Sequence, residues 1–316
     1  MNVLPQADEP SGVRALLNKY DLRPRKRLGQ HFLADPNILR KIVDAAQLSP
    51  QDVVLEIGPG LGMLTRRLAQ AAGRVIAVEL DEGMIGVLRG EMAHLTNLEL
   101  VQGDILQLDP MALIQGPKSS ELKPPLPYTV VANLPYYITS AAIRHLLEAD
   151  PPPRRLVLTV QQEVAKRIVA KPGAMSLLAV SVQFYGQPRI VTRIPAGAFV
   201  PPPSVDSAVV CIDTFAPGGY DAVNGEGNTA AGQDGSTAVP VPDPKTFFRV
   251  ARAGFGQKRK QLKNALAAGL GLSSADVITV MVRAGVEPHR RAQTLTLAEW
   301  ANLACELDSF SSHMDS

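Results

Sequence analysis

Two cysteines, Cys211 and Cys305, are all that the 316 residues contain. Far apart and outside any Cys/His pattern, they exclude a disulfide framework and a zinc site, and no metal is expected. No run of about 18 apolar residues occurs, so no membrane span is expected. The first thirty residues lack the apolar core of a signal peptide and carry scattered charges instead. Together these absences point to the reducing cytoplasm. Neither sign of charge is in excess: 32 Lys/Arg stand against 30 Asp/Glu, a formal net of +2. No internal repeat is visible. At 46% hydrophobic and 20% charged, the composition is that of a soluble globular chain of about two domains.

The near-neutral total hides two basic islands. Between Lys245 and Arg291 ten Lys/Arg oppose only Asp276 and Glu287, an excess of +8. Arg23, Arg25, Lys26 and Arg27 form a second cluster near the start. Such islands are the footprint of a polyanion-binding surface, although solvated helix faces carry similar charge.

Residues 1–28 read as an irregular basic arm with one short helix. Asp35-Pro36 sets an N-cap and a first-turn proline ahead of the helical stripe Ile38, Leu39, Ile42, Val43, Ala46. Apolar runs at 53–57, 75–78, 98–101, 130–132 and 156–160 then alternate with helix-like segments, the pattern of a doubly wound α/β sheet. Further strands are expected at Leu177–Phe184, Arg189–Ile194 and Ala208–Ile212, and a proline-rich loop at Pro117–Pro127. Residues 216–242 have almost no large apolar side chain and read as a flexible low-complexity insert. Beyond it the pattern is helical: Asp243-Pro244 opens a helix, Gly269 and Gly271 fit a helix end, Ser273 starts the next, and Thr296-Leu297-Ala298-Glu299 is a capping box. The expected organisation is a basic arm (1–28), an α/β domain (29–215), the insert (216–242) and a basic helical domain (243–316).

Chemistry concentrates at strand ends. Val53–Ile57 runs into Gly58-Pro59-Gly60-Leu61-Gly62, where glycines let the backbone approach a ligand. The G-x-G-x-G spacing differs from the G-x-G-x-x-G of dinucleotide dehydrogenases. Glu79 ends the next strand, placed to accept ribose hydroxyls, and Asp104 ends the third, placed to take an adenine amino group. Asn133-Leu134-Pro135-Tyr136-Tyr137 follows Tyr128–Ala132. There an amide oxygen and a backbone carbonyl can accept from an exocyclic amine, and an aromatic can stack on a base. Four successive strand ends line the rim where open α/β sheets bind ligands, which favours S-adenosylmethionine over a nicotinamide cofactor.

In these residues the chain resembles the ribosomal RNA adenine N6,N6-dimethyltransferases of the KsgA/RsmA family, from about Arg23 to about Leu307. The segments that carry the resemblance are Leu28–Leu33, Glu56–Gly62, Asn133–Tyr137, Phe199–Val209 and Phe255–Lys260. It implies a Rossmann-like class I S-adenosylmethionine-dependent methyltransferase domain with a small C-terminal all-helical domain. It places His31, Leu33, Gly58, Gly60, Glu79, Asp104 and Asn133 around the cofactor. Asn133 and the Leu134 carbonyl would hold the target amine, Tyr136 would stack on the base and Phe199 would close its other face. Arg25, Lys26, Arg27, Lys258, Arg259 and Lys260, the last three beginning a helix, would contact RNA. The implied reaction dimethylates two adjacent adenosines in a hairpin loop near the 3′ end of small-subunit (16S) rRNA in the 30S particle, during ribosome biogenesis, by a monomeric enzyme.

The chain departs from the usual family pattern at His31 (commonly Asn), Ala141 (often Pro), Ser176 and Ala179 (commonly Gly and Ser), and in the length of the insert. The competing readings are a large-subunit (23S) rRNA adenine methyltransferase, a DNA adenine methyltransferase, a non-catalytic ribosome-assembly or transcription factor retaining the fold, and, more remotely, a dehydrogenase.

Overall fold

A computed structural model describes residues 9–116, 127–215 and 242–314. The expected proline-rich loop and low-complexity insert therefore lie outside the described residues, apart from Pro127 and Pro242, as do the first eight residues of the arm. The chain divides into two compact units, Met1–Lys166 with Gln187–Thr214, and Arg167–Gly186 with Phe215–Ser316.

In the first unit the strands are β1 (Phe32–Leu33), β2 (Val53–Ile57), β3 (Arg74–Glu79), β4 (Leu98–Gln102), β5 (Tyr128–Asn133), β6 (Arg155–Gln161), β7 (Gly186–Ile194), β8 (Phe199–Val200) and β9 (Ser207–Thr214). Its helices are α1 (Pro10–Lys19), α2 (Pro36–Ala46), α3 (Met63–Ala71), α4 (Glu82–Glu91), α5 (Pro110–Gln115), α6 (Thr139–Leu147) and the start of α7 (Gln162–Ile168). Seven strands form one sheet in the order β4-β3-β2-β5-β6-β9-β7. The first five are mutually parallel and β9 runs antiparallel to β6. Strand order reverses between β2 and β5, so the crevice beyond their carboxyl ends is the topological switch point where ligands of such sheets bind. The register aligns Ile57 with Ala132, which brings Gly58 and Asn133 side by side at that crevice.

β2 is buried along its whole length, as a central parallel strand covered on both faces requires. The Asp35 cap is realised: its carboxylate accepts from the Asn37 and Ile38 amides. The one short helix expected in the arm is α1. In α1, Val13 and Leu17 are buried in the core of this unit, and Lys19 and Tyr20 both donate to Glu91 on α4.

The second unit holds α8 (Leu177–Tyr185), α9 (Pro244–Phe255), α10 (Leu262–Leu270), α11 (Ser274–Arg283) and α12 (Leu297–Met314). Leu177–Phe184, expected as a strand within the α/β domain, is thus a helix of the helical unit. Its run of apolar residues fits a buried strand and a helix buried on all sides equally well. Ser176 decides between them by accepting from the Ala179 amide as N-cap. Ala179, Val180 and Phe184 then join Phe247, Phe248 and Trp300 in one core, with Phe184 stacked on Phe247 at 4.3 Å. Elsewhere the expected caps form: Asp243 accepts from Thr246, Ser273 from Asp276, and Thr296 and Glu299 bond reciprocally. Gly271 ends α10 in the left-handed region (φ +70°), whereas Gly269 lies inside that helix. No single helix among the described residues is long and apolar enough to cross a membrane.

Candidate active site

At the switch point of the first unit lies a cavity of about 270 Å³. His31, Leu33, Gly58, Gly60, Glu79, Asp104, Asn133, Leu134, Tyr136 and Phe199 all line it. Parallel strands explain this convergence: β2, β3, β4 and β5 all end on one rim, so the residues after each come together although about 75 positions separate Gly58 from Asn133.

The glycine-rich turn is built by backbone geometry that other residues resist. Gly60 has φ +57°, and a Cβ there would lie 3.0 Å from the Phe32 ring. Gly62 has φ +85°, and a Cβ would sit 1.8 Å from the Met92 methyl. Glu79 fastens the turn from the next strand: one carboxylate oxygen accepts from the Gly60 amide at 3.0 Å and the other from the Asp81 amide at 2.9 Å. Burial pushes its carboxyl above the ordinary range, while these backbone donors oppose the rise. Asp104 accepts from the Leu106 amide at 3.0 Å, which fixes its carboxylate at the end of β4.

Asn133 Nδ2 donates to the His31 carbonyl at 3.0 Å, leaving Oδ1 as the acceptor end of the amide. No described group donates to the Leu134 carbonyl through the backbone. Tyr136 is half-buried, and its hydroxyl shares a 2.7 Å hydrogen bond with Ser207 at the start of β9. Burial pushes that phenol up, against the effect of the Ser207 bond. His31 lies nearly parallel to the Tyr136 ring (6.1 Å between centroids, 20°), and its Nδ1 bonds the Pro201 carbonyl at 2.8 Å. Phe199 is buried on β8, paired with Leu33 of β1.

Sequence reasoning passed over several participants. Glu56, one residue before the end of β2, lines the cavity with 1% exposure, and its Oε2 has no hydrogen-bond partner. Burial and then the Glu79 charge raise its carboxyl to about 8. An orphaned buried acceptor and a glycine cradle are what a cationic ligand with a flat adenosine end would fill, so the residues present fit S-adenosylmethionine. Asp81, buried, accepts from Gln30 at 2.8 Å and pairs with Arg25 at 3.3 Å. Arg25 keeps an exposed side chain while it pairs with Asp81, and Lys26 and Arg27 are exposed beside it. Lys258, Arg259 and Lys260 do not begin a helix; they are exposed in the turn between α9 and α10, with Gln261 as the N-cap of α10.

A doubly wound sheet whose switch point combines a left-handed glycine turn, strand-end carboxylates and an Asn-Leu-Pro-Tyr turn defines a class I S-adenosylmethionine-dependent methyltransferase. Solved structures agree. The 23S rRNA methyltransferase ErmE superposes with a TM-score of 0.64 at 26% identity, covering 88% of this chain and 99% of that one. A dimethyladenosine transferase from Plasmodium falciparum gives 0.68 at 23%, covering 89% and 98%, which supports the fold. The family model for ribosomal RNA adenine dimethylase matches residues 22–218, and the chain belongs to that family. Proteins called ribosomal RNA small subunit methyltransferase A are similar over nearly their full length. The one from Dehalococcoides mccartyi (strain 195) is 46% identical over 92% of this chain and 91% of its own. That of Pelotomaculum thermopropionicum is 40% identical over 95% and 96%.

Proposed function

We propose that the chain dimethylates the N6 amines of two adjacent adenosines in a hairpin loop near the 3′ end of small-subunit (16S) rRNA. It acts as a cytoplasmic monomer on the 30S particle during ribosome biogenesis. The observation that carries this reading is the Asn133–Tyr136 turn facing the same cavity as the glycine-rich turn and the Glu79 and Asp104 carboxylates. Similarity over more than nine-tenths of relatives called small subunit methyltransferases favours the small subunit over the large.

When bound, S-adenosylmethionine supplies a methyl group activated by its sulfonium. Gly58 and Gly60 would let the backbone approach it, Glu79 would accept from its ribose, Asp104 would take its adenine amine, and His31, Leu33 and Asn133 would complete the enclosure. An adenine N6 is a weak nucleophile because its lone pair is delocalised into the ring. Asn133 Oδ1 and the Leu134 carbonyl accept its two hydrogens and favour a pyramidal nitrogen. The His31 carbonyl, by holding Nδ2, keeps Oδ1 turned to the amine. Orientation of this kind is worth up to about 7–11 kcal/mol in well-aligned systems. Tyr136, tethered through Ser207, stacks on the extruded base, and Phe199 closes its other face. The proton shed by N6 passes to water. One N–H remains after the first transfer, so one of these acceptors can still hold it for the second. Arg25, Lys26, Arg27 and Lys258–Lys260 position the RNA through phosphates without reading sequence.

Methyl transfer from labelled cofactor to purified small and large subunits lacking the modification, with the product positions mapped, tests the assignment. Dimethyladenosine confined to the small subunit supports it. Label confined to the large subunit establishes the competing reading.

A further inference from the structure

We propose that the open groove between α9 and α10 seats the sugar–phosphate backbone of the RNA substrate, with Arg249 and Arg252 as its phosphate contacts. The inference rests on the rRNA reading above and adds a site separate from the Lys258–Lys260 turn. It begins with how α9 is oriented. Phe247, Phe248, Val250, Ala251 and Gly254 point into the helical core, which leaves Arg249 and Arg252 exposed three residues apart on one face. The groove they border has a volume of about 410 Å³. No carboxylate lines it; its other walls are Ala253, Ala265, Ala268 and Gly269, with Gln257 and Gly256 at one end.

Its floor is bare because the two helices cross closely. A Cβ added at Gly269 would stand 2.6 Å from the Ala253 Cβ and 2.7 Å from its Cα, so no larger side chain fits at the crossing. The result is a smooth trough with two guanidinium groups on its rim rather than an enclosed pocket.

The pairing pattern separates these arginines from an ordinary solvated face. In the same unit Arg290 is held by Glu299 and by the Thr294 hydroxyl and carbonyl. Neither Arg249 nor Arg252 has a carboxylate or hydrogen-bond partner among the described residues. A guanidinium fork matches phosphate oxygens bidentately, and two forks about 4.5 Å apart along the helix axis can splay to successive phosphates. The groove leads at Gln257 directly into Lys258, Arg259 and Lys260, so the proposed phosphate track and the basic turn are continuous. Shape and charge together select an extended polyanion.

The test uses the full-length protein and small-subunit particles lacking the modification, with binding measured from about 50 to 300 mM salt. R249Q/R252Q removes two phosphate contacts. The slope of log K against log salt should fall in magnitude by about 1.4–1.8, and affinity near 0.1 M salt should drop more than tenfold. A268L fills the trough without altering charge and should reproduce the weakening. Both variants should keep wild-type S-adenosylmethionine binding. If R249Q/R252Q weakens binding but A268L does not, the arginines act as a diffuse field and the groove assignment is overturned. If neither variant weakens binding while K258A/R259A/K260A does, the groove assignment falls and the rRNA reading stands. If the wild-type protein binds no small-subunit particle at any salt, the rRNA reading itself has failed.

Discussion

Glu56→Gln should remove a loss of stability that the α/β unit suffers as pH rises. Glu56 sits in the central strand β2 with 1% exposure, no partner for Oε2, and the Glu79 carboxylate on the neighbouring strand. Its carboxyl is pushed from 4.5 in the unfolded chain to about 8 in the fold. Between those values the native state holds a proton that the unfolded state has lost, so this group's contribution falls as pH rises through the window. That is opposite in sign to a salt-bridged carboxylate. At 1.36 kcal/mol per unit, the loss over the whole window is about 5 kcal/mol, a large part of the ~5–15 kcal/mol that usually stabilises a domain. Glutamine keeps the shape and removes the titration, but leaves an amide unsatisfied at a cost of about 1–3 kcal/mol at every pH. The two stability curves should therefore cross: the variant is weaker at pH 5 and stronger at pH 9. Urea unfolding followed by far-ultraviolet circular dichroism at pH 5, 7 and 9 reads this directly. Fluorescence of the single tryptophan would not, because Trp300 lies in the other unit. Parallel curves with a constant offset would refute the reasoning. A cation seated in the cavity favours the charged carboxyl. Binding S-adenosylmethionine at pH 7 should thus release a proton from the wild type and none from E56Q, seen as calorimetric heats that vary with buffer ionisation enthalpy.

Ser207→Ala and Tyr136→Phe each break the same 2.7 Å bond. Each should cost about 1 kcal/mol of stability and raise KM for RNA, and the double variant should do no more than either alone, as a double-mutant cycle will show. Gly62→Ala must hold a φ of +85° and displace Met92 and Leu88. A loss of about 2–5 kcal/mol in denaturant unfolding, with weakened cofactor binding, is expected.

Much of this was readable from residues because parallel strands convert order in sequence into adjacency at one rim. Gly58, Glu79, Asp104 and Asn133 could be placed together once their strands were recognised, since no long-range contact beyond strand pairing is needed. The caps at Asp35, Asp243, Ser273 and Thr296 are local chemistry and were equally legible. Leu177–Phe184 was misread because an all-apolar run carries no period, and its one local clue was Ser176. Other features depend on partners distant in sequence: the Arg25–Asp81 pair, and the Tyr136–Ser207 bond across 71 positions. The orphaned Oε2 of Glu56 is invisible in the motif because only the packed sheet shows that this oxygen has no partner.

The central claim is that the Asn133 turn is where the methyl group is transferred. Single-turnover methylation of unmodified small subunits by wild type and Asn133→Ala, at saturating cofactor and with folding checked by circular dichroism, tests it most directly. The account predicts a fall in rate of about 10²–10³, the scale for removing one positioned hydrogen-bonding group from a catalytic site, with subunit binding retained. Near-normal dimethylation by the folded variant would contradict it.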